Sequence, residues 1–138
     1  QNQKLPIGYW IKKADQALNT GIDSVQSSFG INRTGWQILN SLSEKREVNK
    51  TELLSLLSPF SSESMTEQIL AEFQVRHLIN VDQDKIGLTG VGRELHIACA
   101  EKQNGFRQLV MQGITEEDYQ TTVQTLQKMV ENISGVSP

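Results

Sequence analysis

One cysteine, Cys99, and three prolines are all that this 138-residue chain holds of two structure-defining residue types. A lone thiol closes no intrachain disulfide, so the fold rests on packing, which fits a reducing, cytoplasmic setting. Aromatic residues make up 6% and hydrophobic residues 37%. That stock fills a thin core and predicts apolar stripes that a single copy leaves uncovered. No apolar run approaches the roughly 18 residues of a membrane span. Gln1-Asn2-Gln3-Lys4 leads into no apolar signal core. There is no internal repeat and no long low-complexity linker.

Catalytic signatures are missing too. There is no glycine-rich phosphate loop, no serine elbow and no acid–base pair at a recognisable spacing, so neither enzyme nor cofactor is expected. Gly90-Val91-Gly92 lacks the third glycine and the strand–turn–helix setting of a nucleotide fingerprint. His77 and His96 have no Cys, Asp or Glu at ligand spacing, so no metal is expected. Excess basic charge is also absent: 13 Lys and Arg face 16 Asp and Glu, for a net charge of −3. An acidic balance does not exclude nucleic acid, because local charge on the binding face decides.

What the chain does have is clear punctuation. Pro6 opens a first helix carrying Ile7, Ile11, Ala14, Leu18, Gly21 and Val25 at near-heptad spacing, with Gly30 as its left-handed stop. Asn32 or Thr34 caps a second helix that buries Trp36, Leu39 and Leu42. Asn49 with Glu52 has the reciprocal-cap spacing and starts a third helix carrying Leu53, Leu54 and Leu57, which Ser58-Pro59 ends. Ser61 or Ser62 caps a fourth, whose buried face is Met65, Ile69, Leu70 and Phe73. Asp82-Gln83-Asp84-Lys85 reads as the tight turn of a hairpin returning through Ile86 and Leu88. Thr89 caps a fifth helix and Thr115 a sixth, the latter striped by Tyr119, Val123, Leu126, Val130 and Ile133. The fold class is therefore mainly α: a winged helix-turn-helix of three helices plus a short two-strand wing, flanked by long N- and C-terminal helices. That order lays one helix in a DNA major groove with a wing beside it. Pairing the flanking stripes with those of a second copy is the economical way to cover them, which predicts a homodimer.

At these residues the chain resembles the MarR group of winged-helix transcription regulators. The resemblance rests on Ile31-Asn32-Arg33-Thr34-Gly35-Trp36-Gln37-Ile38-Leu39, on residues 62–79, which are similar to the family's recognition helix, and on residues 88–94, which are similar to the start of its dimer helix. It spans residues 7–133 and implies one domain over 1–138, with dimerisation helices in 1–30 and 90–138 and the winged helix-turn-helix in 31–89. It further implies a cytoplasmic homodimer bound to double-stranded DNA at a palindromic operator, acting as a repressor modulated by a small-molecule effector. Two departures stand out. The wing is shorter than the family's and has no arginine to insert into a narrow minor groove. The recognition helix carries Glu63, Glu67 and Glu72. An alternative reading is a winged-helix module that has exchanged DNA for a protein partner.

The candidate DNA contacts are Ser61, Ser62, Ser64 and Gln68, as hydroxyl and amide groups for phosphates or base edges, with Glu63, Met65 and Glu67 on the same helix. Glu63 and Glu67 are carboxylates that can accept from a cytosine amino group. Arg33, Lys50 and Lys85 are candidate phosphate anchors, joined by Lys45 and Arg46. Tyr9, Trp10, Trp36 and His96 are candidate lining for an apolar effector cleft. Arg93 is expected to pair with an acid beside the wing, and Cys99 to be a buried structural thiol.

Overall fold

The computed structural model describes residues 4–135. The ends of the expected 1–138 span, residues 1–3 and 136–138, lie outside the described residues. Helix α1 (Ile7–Ser27) is followed by α2 (Arg33–Glu44), β1 (Val48–Asn49), α3 (Lys50–Leu57), α4 (Glu63–Val75), β2 (Ile79–Asp82), β3 (Lys85–Leu88), α5 (Gly90–Val110) and α6 (Glu116–Ser134). The chain divides into two units, Gln1–Phe106 and Arg107–Pro138.

In the first unit Pro6 opens α1 without a side-chain cap, and the other four helix starts are hydrogen bonds. Asn32 Oδ1 accepts from the Gly35 N–H at 2.8 Å, Asn49 Oδ1 from Thr51 at 2.9 Å, Ser62 Oγ from Met65 at 3.1 Å and Thr89 Oγ1 from Gly92 at 2.9 Å. These bonds satisfy amide donors that a helix start leaves open. Gly30, at φ 72°, stops the turn after α1. The end of α4 is less ordinary. His77 sits at φ 61°, its N–H reaching Gln74 O at 3.0 Å while Leu78 N–H reaches Phe73 O at 2.9 Å. That is a Schellman stop with histidine in the place glycine usually holds.

The sheet has three strands in the order β1-β3-β2, all antiparallel. The expected hairpin is there, with Ile79 opposite Leu88 and Asp82 opposite Lys85. A third strand, not expected, pairs Val48 with Ile86 and Asn49 with Lys85. The core is almost entirely the central module: Ile38, Leu39, Leu42, Leu53, Phe73, Leu78 and Ile86 are each at most 2% exposed. Some expected core positions move. Met65 is 45% exposed and Thr66 is buried in its stead, because the face turned inward runs Thr66, Ile69, Leu70, Phe73. Leu54 and Trp36 are half-buried, and Ile38 takes the inward place on α2. Cys99 is fully buried, and burial pushes its thiol up from the ordinary value.

Close approach explains two glycines. A Cβ on Gly92 lands 2.0 Å from Leu78 O, so the start of α5 lies hard against the end of α4. On Gly21 it meets the Phe106 ring, which seats α5 on α1. Residue Gln26 is the one buried position of α1, and its Nε2 donates to Gln103 Oε1 at 2.9 Å. Elsewhere α1 keeps Ile7, Trp10, Ile11 and Leu18 more than 40% exposed.

In the second unit Thr115 Oγ1 accepts from Asp118 N–H at 3.0 Å, starting α6, and Gly135 at φ 69° ends it. None of the described α6 residues is buried, and Tyr119, Val130 and Ile133 are exposed along its stripe.

Candidate nucleic-acid interface

The site is assembled from α3, the turn after it, α4 and the β2–β3 wing. Asn49 acts twice. Its Oδ1 caps α3 while its Nδ2 donates to Asp84 Oδ2 at 3.0 Å, and the next amide, Lys50 N–H, donates to Asp84 O at 2.7 Å. The wing tip is thereby clasped to the first turn of α3. Glu52 does not return to Asn49 as the reciprocal spacing suggests; it pairs with Lys45 Nζ at 3.3 Å. Leu53 and Leu57 then bury α3, and Phe60 and Ser61 N–H both reach back to Leu57 O at 2.9 Å to form the turn.

At the head of α4 the three serines separate by role. Ser62 caps. Ser61 is half-buried and donates to Ser62 O at 3.4 Å, while Ser64 is exposed. Helical geometry of about 100° per residue then sorts the rest. Opposite the buried face lie Ser64, Gln68, Ala71 and Val75, all exposed. Glu63 and Glu67 lie on one flank, Met65 and Glu72 on the other.

All but one of the candidate phosphate anchors already hold a carboxylate. Lys50 Nζ grips Glu67, Lys85 Nζ lies 3.9 Å from Glu47, and Arg33 Nε donates to Asp23 Oδ1 at 3.1 Å. Arg33 is tied further to Asn19 Oδ1. Lys45 is taken by Glu52. Arg46 is exposed and makes no ion pair among the described residues. Arg76 faces away from this surface and donates to Gly30 O at 2.9 Å and Phe29 O at 3.0 Å, bracing the end of α4 on the α1–α2 link. Arg93 makes no ion pair among the described residues, contrary to expectation.

The expected effector residues fall into two groups. Trp36 and His96 stack with centroids 4.8 Å apart and planes 3° from parallel, and His96 Nε2 meets Asn40 Oδ1 at 3.0 Å. Burial, and then the Arg93 charge, hold the His96 imidazole below its ordinary value. Tyr9 and Trp10 pair instead with each other, edge to face at 5.0 Å. A cleft of about 300 Å³ opens beside Trp36, lined also by Leu18, Ile22, Gln26, Arg33 and Gln103. Leu18, Ile22, Gln26 and Gln103 were not anticipated there, since they converge from α1 and α5. Among the described residues no group of three or more His, Cys, Asp or Glu is placed to hold a metal ion. No described helix is long and apolar enough to cross a membrane.

Solved structures match this arrangement along nearly its whole length. A MarR family protein of Mycobacterium tuberculosis aligns over 93% of this chain and 96% of its own, with a TM-score of 0.70 at 17% identity. The fold is that of the MarR-family regulators. MepR, a transcription regulator of the Staphylococcus aureus multidrug efflux pump MepA, aligns over 94% of this chain and 99% of its own, at TM-score 0.72 and 18% identity. The Mycobacterium tuberculosis protein in complex with DNA gives 0.70 at 18% identity, over 91% of this chain and 98% of that one. No family model matches the chain. No curated protein matches it by sequence. In this MarR-like winged helix, α3 and α4 are the helix-turn-helix and β2–β3 is the wing.

Proposed function

We propose that this protein is a sequence-specific DNA-binding transcription regulator, cytoplasmic and dimeric, acting as a repressor whose affinity a small effector changes. The observation that carries the reading is α4. It is capped at an exposed N-terminus by Ser62, seated by Thr66, Ile69, Leu70 and Phe73, and turns an uncharged row to solvent beside a wing clasped to α3. A MarR-like protein solved with DNA supports the same use of this fold. Fold alone does not fix function; the chemistry of the α4 surface does.

Dimerisation follows from the apolar residues that α1 and α6 each leave exposed, a pattern that marks interaction surface. A two-fold dimer sets two α4 helices about 10 base pairs apart on a palindrome. The effector site is the cleft beside Trp36, walled by Leu18 and Ile22 with the Gln26 and Gln103 amides as its polar groups, rather than one built on Tyr9 and Trp10.

Fluorescence anisotropy with duplexes carrying the inverted repeats nearest the gene, over a salt series, tests the reading. Affinity above that for random duplex is expected, falling with salt at a slope of roughly −0.9 per phosphate contacted. A verified dimer that shows no preference over random DNA at low salt overturns it. One observation favours a second reading: Glu63, Glu67 and Glu72 give α4 a net negative charge, which suits a basic protein partner. Reversal by Glu63→Lys and Glu67→Lys separates the two. Loss of a protein complex with DNA still unbound favours the partner protein, whereas altered choice of duplex favours DNA.

A further inference from the structure

The outward row of α4 carries more chemistry than the helix needs. Val75 is 78% exposed and Ala71 is exposed beside it, one turn apart on the side opposite the core. Neither contributes to burial. Ser64 and Gln68 complete the same row, and no member bears a charge. The acids stand on the flanks, Glu67 and Glu72 at equal angles on either side of the row, and Glu67 is drawn aside by Lys50. At a rise of about 1.5 Å per residue, Ser64 to Ala71 spans roughly 10 Å, or about three base steps, and Val75 adds nearly two more.

We infer that Gln68, Ala71 and Val75 set the base preference of this protein, and that they select consecutive A·T pairs. This inference rests on the DNA-binding reading above. The Gln68 carboxamide offers a donor and an acceptor side by side, the complement of adenine N7 and N6 in the major groove. Ala71 and Val75 offer only methyl groups, and the one base-edge group they complement is the C5 methyl of thymine. A G·C step in the same place presents polar atoms to those methyls and leaves them unpaired, which selects against it. Ser64, at the head of the row, satisfies either base type and adds little discrimination. Glu63 and Glu67, placed to the side, set affinity rather than base choice.

The test uses the full-length dimer. Duplexes are selected from a random pool, the enriched sequence is resynthesised with deoxyuridine for each half-site thymine, and both duplexes are titrated with wild type, Gln68→Ala, Ala71→Ser and Val75→Ser. All three positions are exposed, and thermal melts verify that the variants stay folded. Enrichment of A·T steps is expected, with wild-type affinity falling roughly fourfold for each contacted methyl removed. Val75→Ser or Ala71→Ser should lose that sensitivity to deoxyuridine, and Gln68→Ala should relax the preference for adenine at one position. Enrichment of a specific duplex that is indifferent to deoxyuridine, or of a G·C-only half-site, overturns the inference and leaves the regulator reading standing. No enriched duplex at all, from a verified dimer, overturns both.

Discussion

Glu67→Gln isolates the electrostatic state of the proposed interface. The residue grips Lys50, and the two side chains are 42% and 39% exposed. An ion pair that open to water contributes only about 0.2–1 kcal/mol to folding, so the variant should melt within a few degrees of wild type. On DNA the effect is larger and opposite in sign. For a carboxylate about 8 Å from each of two phosphates, a separation assumed for the bound duplex, the cost is roughly 0.5 kcal/mol apiece at the dielectric of water, so its removal should raise affinity about fivefold at low salt. Lys50, released from its partner, becomes free to meet a phosphate. One added phosphate contact steepens the plot of log affinity against log salt by roughly 0.9. Anisotropy titrations of wild type and Glu67→Gln on one duplex, over several salt concentrations, read both numbers at once. Tighter binding with a steeper slope supports the masking argument. Weaker binding, or a shift in preferred base at one position, means that Glu67 itself accepts from a base and that the reasoning is wrong. An unchanged slope means that Lys50 faces no phosphate.

Other positions yield sharp expectations. Gly92→Ala drives a methyl into Leu78 O, which has no flexible end to give way, and should cost roughly 1–3 kcal/mol in urea unfolding. His77→Gly relieves a left-handed histidine and should stabilise the protein by about 1 kcal/mol, with no change in DNA affinity. His96 titrates below its ordinary 6.5 in the folded state, so the unfolded chain takes up the proton first. Stability should therefore fall as pH drops from 6.5 toward the lower folded value, and the difference between wild type and His96→Gln should shrink over that window. Val123→Asp and Leu126→Asp place a charge on the α6 stripe and should yield monomer or unfolded chain; a folded dimer by sedimentation refutes the interface.

How much of this was legible depended on whether a signal was local. Asn32, Asn49, Ser62, Thr89 and Thr115 were readable as caps because a cap is made with an amide two or three residues away, and all five bonds form. Strand β1 was not readable. Two residues carry no periodicity, and Val48-Asn49 is a strand only because β3 lies beside it. The Gln26–Gln103 bond joins positions 77 apart, and nothing near either glutamine announces a buried amide. Met65 and Thr66 exchange places: polarity suggests an exposed Thr66, whereas the helix phase set by Ile69, Leu70 and Phe73 points inward through it. In sequence, Gly92 stands only as part of an incomplete nucleotide motif. Its real reason, the Leu78 carbonyl, is tertiary. In the candidate site the residue types were visible, but their pairing was not: sequence offered Lys50, Lys85 and Arg33 as free cations, and folding gave each one an acid.

That pairing bears on how such a surface discriminates. Non-specific affinity comes almost wholly from phosphates and cations, and grows with each counterion released. On the proposed reading Arg33, Lys45, Lys50 and Lys85 would each exchange a carboxylate for a phosphate, so four of the five candidate contacts begin with a local ion pair to break. The sequence-independent part of binding is expected to be reduced for that reason, and the net charge of −3 should weaken it again. What counts in a genome is the ratio of specific to non-specific binding, not the absolute affinity. A surface that suppresses the phosphate contribution and presents an uncharged reading row gains in that ratio what it loses in strength. Freeing all four cations at once, by Asp23→Asn, Glu47→Gln, Glu52→Gln and Glu67→Gln, should therefore raise affinity for random duplex more than for the selected site. If the two rise together, base contacts and phosphate contacts on this face are not separable, and discrimination has another source.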